Sequence, residues 1–398
     1  MTNTPSAGLP VPDLPPPDED ALAHSHRLVE HIREEIGRRG PIPFSRFMEL
    51  ALYAPGLGYY SAGARKFGAE GDFVTAPELS PLFSCCLARQ CAEVLETLDG
   101  GDILEFGAGS GVMAADILLE LERMECLPER YLILELSAGL RRRQRDTLAA
   151  RAPALLSRVH WLEAWPESPV EGVVLGNEVL DALPVERFCI GEEGVVSLDV
   201  DAAGAGLEIS PRPAGKELRE AVGRLERLLG HALPVGYGSE INLSLPAWMH
   251  GLGASLARGA VLLIDYGYPR HEYYHPQRGM GTLMCHYRHR AHADPLLWPG
   301  LQDITAHVDF SAVAEAGQAA GLALAGFSHQ AAFLVGCGLE TLFAEPVTDM
   351  REQLERARQV KLLTLPGEMG ERFKVIGFHR GLDRPLRGFS FDDRQGRL

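Results

Sequence analysis

The chain has 398 residues, 46% of them apolar, enough for one large domain with insertions or two modest ones around a sizeable core. Its formal net charge of −16 argues against binding along a nucleic-acid backbone and suits a basic peptide or protein partner. No apolar run reaches the roughly 20 residues of a membrane span, and the seven scattered cysteines lack C-x-x-C spacing, which reads as reduced, buried thiols and no metal site.

The first twenty residues carry six prolines together with Asp13, Asp18, Glu19 and Asp20. They lack the apolar stretch of a secretory signal and the arginine-rich character of a mitochondrial presequence. Residues 1–20 are therefore expected to be a disordered leader on a cytoplasmic protein. From Ala21 to Gly40, Leu22, Leu28, Val29, Ile32 and Ile36 keep helical spacing, and Gly40-Pro41 stops the helix. "PIPFSRFMELALY" predicts a second helix, broken at Pro55-Gly56, that runs into an aromatic, glycine-rich loop. "GDFVTAPE" has no periodic apolar face and reads as a further loop, with either polar contacts from Asp72 and Thr75 to a ligand or a helix N-cap at Thr75. A helix then runs to about Leu98, closing an N-terminal segment over 21–98.

From residue 99 onward the pattern alternates between short apolar runs and helices. Candidate strands are Ile103–Phe106, Tyr131–Leu136, Val173–Leu175 and Val261–Ile264, with helical patterns at 112–125 and 138–150. Later come a helix from about Phe310 to Ala320 and strand-like runs at 322–327 and 373–378. Such alternation predicts an α/β fold with a parallel sheet and helices on both faces. Two segments interrupt it. Residues 190–255 are rich in Gly, Ala and charge, with one amphipathic helix over Glu217–Leu229, and should add little to the core. Residues 268–305 are dense in Tyr, His and Arg and look like a lid or substrate surface.

"GDILEFGAGSG" places Gly107, Gly109 and Gly111 after a strand that carries Glu105. A glycine turn between strand and helix lets a ligand approach bare backbone near a helix N-terminus. A dinucleotide site would want G-x-G-x-x-G, but Val112 stands where its last glycine belongs, and Glu105 would repel a pyrophosphate. An acid before G-x-G-x-G, followed by Glu135 at the end of the second strand to accept ribose hydroxyls, suits S-adenosylmethionine instead. Asn177, after the later strand, is a further candidate for that site or a turn former.

Methyl transfer from a sulfonium needs an oriented acceptor with an available lone pair. If "NEVLDALP" begins a helical turn, Glu178 and Asp181 point to one side, beside the crevice; otherwise they are helix N-terminal charges. Asp265 faces the same crevice by position or bonds a neighbouring loop. His307 is a candidate base or a structural histidine, and Asp309 is expected to cap the helix at Phe310. The basic run "LRRRQRD" at 140–146 reads as a solvated helix face.

Seven segments in order resemble the MidA family of S-adenosylmethionine-dependent methyltransferases: "GDFVTAPELSPLF", "LEFGAGSG", "LELSAGLRRRQ", "GNEVLDALPVERF", "LLIDYGY", "DITAHVDFSAVA" and "GERFKVIGF". The family includes the mitochondrial complex I assembly-factor arginine methyltransferase. The resemblance runs from about Pro41 to Arg380 and implies a class I methyltransferase fold, Rossmann-like with a mostly parallel seven-stranded sheet. It implies S-adenosyl-L-methionine as cofactor and dimethylation of an arginine in a complex I core subunit as the activity, with Glu178 and Asp181 as the candidates to grip the substrate guanidinium. A non-catalytic assembly chaperone that retains the cofactor fold is the alternative, motivated by the segment at 268–305. Phe106 departs from the usual family pattern between Glu105 and Gly107, with altered packing as the expected consequence.

Overall fold

The computed structural model describes residues 14–62 and 75–398. Asp72 and most of the proline-rich leader lie outside the described residues. The chain divides into two compact units.

One unit gathers the described residues of Met1–Phe73 with Ala182–Ser244 and Tyr274–His307. Its first helix, Glu19–Arg39, starts two residues earlier than the apolar spacing suggests because the Asp18 side chain accepts the Ala21 N–H at 2.8 Å. Gly40 ends it with φ +79, and Phe44–Tyr53 forms the second helix. Four antiparallel strands lie in the order Gly206–Pro213, Gly194–Ala203, Glu186–Gly191, Gly238–Ile241. Three more pair as Arg290–His292, Met284–Tyr287 and Asp303–Thr305. Leu28, Ile32, Phe44, Phe47, Val200 and Ile304 share its core.

The compact units do not follow the segment boundaries expected from the sequence. The segment over 21–98 is divided, since Thr75 to Leu98 belongs to the other unit. Residues 190–255 contribute more than expected. Val200 is fully buried in the four-stranded sheet, and Leu245–Ala254 is a helix of the other unit.

The second unit comprises Val74–Asp181, Leu245–Tyr273 and Val308–Leu398. Its strands are β1 (Asp102–Phe106), β2 (Tyr131–Leu134), β3 (Val159–Leu162), β4 (Val170–Asn177), β5 (Leu256–Tyr268), β6 (Ala323–His329) and β7 (Phe373–Arg380). They order as β6-β7-β5-β4-β1-β2-β3, with Val308–Asp309 paired to the end of β5. Five of the strands, β3-β2-β1-β4-β5, run parallel, and β7 lies antiparallel between β5 and β6. This is the mostly parallel seven-stranded sheet of the class I methyltransferase fold. Every residue of β1 is buried, as the centre of a parallel sheet requires.

Helices α1 (Pro81–Leu98), α2 (Val112–Arg123) and α3 (Ala138–Arg151) match the apolar periodicity read at those positions. α1 packs against α2, and their apolar faces join the core around Ile103, Ile133 and Val173. Chain order reverses between β1 and β4, with β2 on the other side of β1. In open α/β sheets the crevice beyond the carboxyl ends of the strands at such a point is where ligands bind.

Candidate cofactor and methyl-transfer site

The glycine turn stands at that switch point. Gly107, Gly109 and Gly111 take φ values of +62, +52 and +84, which side-chain-bearing residues adopt at a cost. Two of the three also leave room for protein. A Cβ on Gly107 would lie 3.0 Å from Val179 Cγ1, and one on Gly111 would lie 3.0 Å from the Gln144 Cα. Gly107 is exposed and Gly109 half-buried, so the turn presents bare main chain while Val179 and Gln144 pack against its flanks. Ser110 donates to Glu78 Oε1 and accepts the Val112 N–H at 3.4 Å, which ties the short helix Ala76–Leu79 to the turn. Thr75 occupies the N-cap position of that helix without a capping hydrogen bond from its side chain.

Glu105 lies beneath the turn, 1% exposed, and accepts the Tyr131 hydroxyl at 2.7 Å. Burial pushes its carboxyl up to about 7, against the lowering effect of the Tyr131 bond, and nearby Glu135 pushes in the same direction.

Glu135 follows β2. Its Oε1 accepts the Ser137 N–H at 2.9 Å and its Oε2 accepts from Gln144 Nε2 at 3.0 Å. Burial raises its carboxyl above the ordinary range, while those two hydrogen bonds and the charge of Arg141 pull it down. A carboxylate offers about four acceptor positions, so with Ser137, Gln144 and the Leu136 backbone bonded to it Glu135 still has capacity for a ribose hydroxyl.

The segment after β4 departs from the sequence reading. Glu178 to Asp181 is a turn rather than a helix start, because Glu178 takes φ +53 and its N–H donates to the Ile264 carbonyl at 2.8 Å. Asp265 holds the rest of the turn. Its Oδ2 accepts the N–H groups of Leu180 at 2.9 Å and Asp181 at 3.2 Å, and its Oδ1 accepts that of Tyr266 at 2.9 Å. Burial, then the charges of Asp181 and Glu178, drive the Asp265 carboxyl well above the usual carboxylate range. Tyr266 in turn donates to Asp181 Oδ2 at 2.5 Å. Val179 is the hinge of the arrangement: its two methyl groups lie against Gly107 and Gly176, which seats Glu178 beside the glycine turn. Glu178 is partly exposed, whereas Asp181 and Asp265 are buried.

Asn177 donates to Glu178 Oε1 at 3.2 Å, and its Oδ1 is buried without a partner among the described residues. The structure thus gathers Glu105, the three glycines, Glu135, Asn177, Glu178, Asp181 and Asp265 at the carboxyl end of one sheet. His307 belongs to the other compact unit, where its N–H donates to Thr282 Oγ1 at 3.1 Å. Asp309 caps the helix Phe310–Ala319 through the Ala312 N–H at 3.1 Å, as its position predicts.

Residues 86–328 match the model of a family described as S-adenosyl-L-methionine-dependent methyltransferases. The chain belongs to this family. A Burkholderia thailandensis protein solved with S-adenosyl-homocysteine bound is 48% identical, covers 97% of this chain and 100% of its own, and superposes with a TM-score of 0.92. The mitochondrial protein arginine methyltransferase NDUFAF7 homolog of Drosophila melanogaster is 28% identical, over 96% of this chain and 94% of its own. Human mitochondrial protein arginine methyltransferase NDUFAF7 is 26% identical, over 88% and 82%. The resemblance carried by the seven motifs is borne out, and the cofactor is S-adenosyl-L-methionine.

The methyltransferase's own residues fit that cofactor. The turn offers bare backbone at Gly107 and Gly109, Glu135 keeps acceptor capacity for a ribose diol, and the Asn177 carbonyl oxygen is an unmatched acceptor. Phe106 packs against Trp165 and Trp248, with ring centroids 5.2 and 5.7 Å away. Sequence reasoning passed over Gln144, Val179 and Tyr266. Gln144 closes the motif "LELSAGLRRRQ", where the neighbouring arginines drew the attention. Those arginines are not simply a solvated face: Arg141 donates to the Glu135 carbonyl at 3.1 Å, and Arg145 lies 4.5 Å from the Trp161 ring centroid.

Proposed function

We propose that this methyltransferase modifies an arginine side chain of a protein substrate, with a respiratory complex I subunit as the substrate class. The names of the mitochondrial relatives support the acceptor type. The observation that carries the reading is the acidic group after β4 and β5: Glu178 beside the glycine turn, with Asp181 and Asp265 directly behind it.

S-adenosyl-L-methionine, when bound, supplies a methyl group on a sulfonium sulphur. An arginine acceptor presents the opposite difficulty to the enzyme, since guanidinium stays protonated and delocalised in solution. Partly exposed Glu178 can grip its planar fork with two parallel hydrogen bonds and bias one nitrogen toward the crevice. The proton released as the nitrogen is methylated passes to this acidic group. Asp265 serves position, because its oxygens are already occupied by the N–H groups that shape the turn. Glu135 meets the ribose hydroxyls and Asn177 supplies a further acceptor.

The test is incubation of the purified protein with methyl-labelled S-adenosylmethionine and isolated complex I subunits, then acid hydrolysis and amino-acid analysis. Label should appear in methylarginine and fall sharply for Glu178→Gln. Label recovered in lysine, glutamine or nucleic acid, with none in arginine, overturns the assignment.

A further inference from the structure

Gln144 is fully buried in α3, yet none of the roles above requires it. Its carboxamide reaches three groups from three parts of the sheet edge. Nε2 donates to the Gly109 carbonyl at 3.1 Å and to Glu135 Oε2 at 3.0 Å, and Oε1 accepts from Trp161 Nε1 at 2.9 Å. An indole N–H can only donate, so Trp161 fixes which end of the amide faces it. The NH2 end must then face the two acceptors, and a flipped amide would set its oxygen against a carbonyl and a carboxylate. The backbone fits the same arrangement, since the absent Gly111 side chain admits the main chain at Gln144.

We infer that Gln144 is a positioning residue for the cofactor, yoking the glycine turn to the strand-end carboxylate so that backbone and ribose acceptor are presented as one rigid unit. By holding the Gly109 carbonyl, it points the N–H of the trans Gly109–Ser110 peptide the other way. By donating to one oxygen of Glu135, it leaves acceptor capacity on the carboxylate for a hydroxyl. Trp161 orients Gln144, and among the described residues it makes no hydrogen bond to Glu135. The inference rests on the reading of Glu135 as the ribose acid.

The test measures binding of S-adenosylhomocysteine by calorimetry to folded wild type, Gln144→Leu, Gln144→Glu, Trp161→Phe and the Gln144→Leu/Trp161→Phe double variant, across pH. Gln144→Leu should weaken binding about tenfold or more, because a buried carboxylate and a carbonyl each lose a donor. Gln144→Glu puts a second carboxyl beside Glu135, whose other charged neighbours are Glu105 and Arg141, the latter paired with Glu163. Its protonated form can still donate, so its affinity should recover toward wild type as pH falls, while wild-type affinity declines as Glu135 takes up a proton. Trp161→Phe should weaken binding less than Gln144→Leu and add nothing to it in the double variant. Unchanged affinity in the variants, a pH-independent loss in Gln144→Glu, or additive effects of the two substitutions overturns the inference. Failure of wild type to bind S-adenosylhomocysteine would instead remove the cofactor reading beneath it.

Discussion

Asp265 Oδ2 accepts the Leu180 N–H at 2.9 Å, across 85 residues of chain. Through this bond and its companion to Asp181, the end of β5 shapes the turn that follows β4. Asp265→Ala would leave buried N–H groups of Leu180 and Asp181 without their acceptor. The expected cost is about 2–4 kcal/mol, since each orphaned buried donor carries about 1–3 kcal/mol and relief of repulsion from Asp181 offsets part of it. Urea unfolding checks this, and a variant as stable as wild type would show that the turn holds without the carboxylate.

Glu105 makes the stability of the fold depend on pH. Burial pushes its carboxyl from the ordinary 4.5 up to about 7. An acid that binds its proton more tightly when folded stabilises the fold below the unfolded value, and that contribution is lost as pH rises through the folded value. Glu105→Gln keeps an acceptor for Tyr131 but cannot titrate. Relative to wild type it should therefore gain up to about 3 kcal/mol of unfolding free energy between about pH 4 and about pH 8. A constant difference across that window would count against a buried, proton-holding Glu105.

Gly111 is where backbone conformation and close packing coincide. Alanine at this position must adopt φ +84 and meet the Gln144 backbone at 3.0 Å. Gly111→Ala should cost about 1–3 kcal/mol and weaken S-adenosylhomocysteine binding, because α3 and Glu135 must shift with Gln144. Thermal unfolding and calorimetry on the same samples read both effects. Lowered stability with unchanged affinity would separate packing from the binding surface.

The sheet was legible where the signal is local. Asp102–Phe106, the glycine turn and α2 follow one another within a short stretch, and each has its own periodicity or composition. β3 escaped because "VHWL" is four residues long with a single buried position. The helix Met350–Thr364 escaped because only Leu363 among its residues is buried, which leaves no apolar face to detect. At the site, residue types were readable but conformation was not. The spacing of Glu178 and Asp181 looks helical, yet the turn is decided largely by Asp265, Ile264 and Gly107, all distant in sequence and on other strands or their ends. Gln144 was hidden for a similar reason, since its three partners lie in the glycine turn, just after β2 and on β3.

Glu178 and Tyr266 should separate substrate handling from cofactor binding. Glu178 is the partly exposed member of the acidic group, so Glu178→Gln removes the charge that pairs with a guanidinium while keeping size and one acceptor. Loss of a charge-assisted, bidentate contact corresponds to about 2–3 kcal/mol, or about 30- to 150-fold in kcat/KM for the protein substrate. Affinity for S-adenosylhomocysteine should stay within about twofold, since none of the Glu135 contacts involves Glu178. Tyr266→Phe removes only the hydroxyl that donates to Asp181 at 2.5 Å. Asp181 then loses that donor while Glu178 keeps its charge, so kcat/KM for the protein substrate should fall less than in Glu178→Gln. Steady-state kinetics with the protein acceptor over a range of pH, together with calorimetry, distinguish the two residues. Equal losses of substrate turnover and cofactor affinity in Glu178→Gln would place that carboxylate in the cofactor's half of the crevice and remove the guanidinium grip from the mechanism.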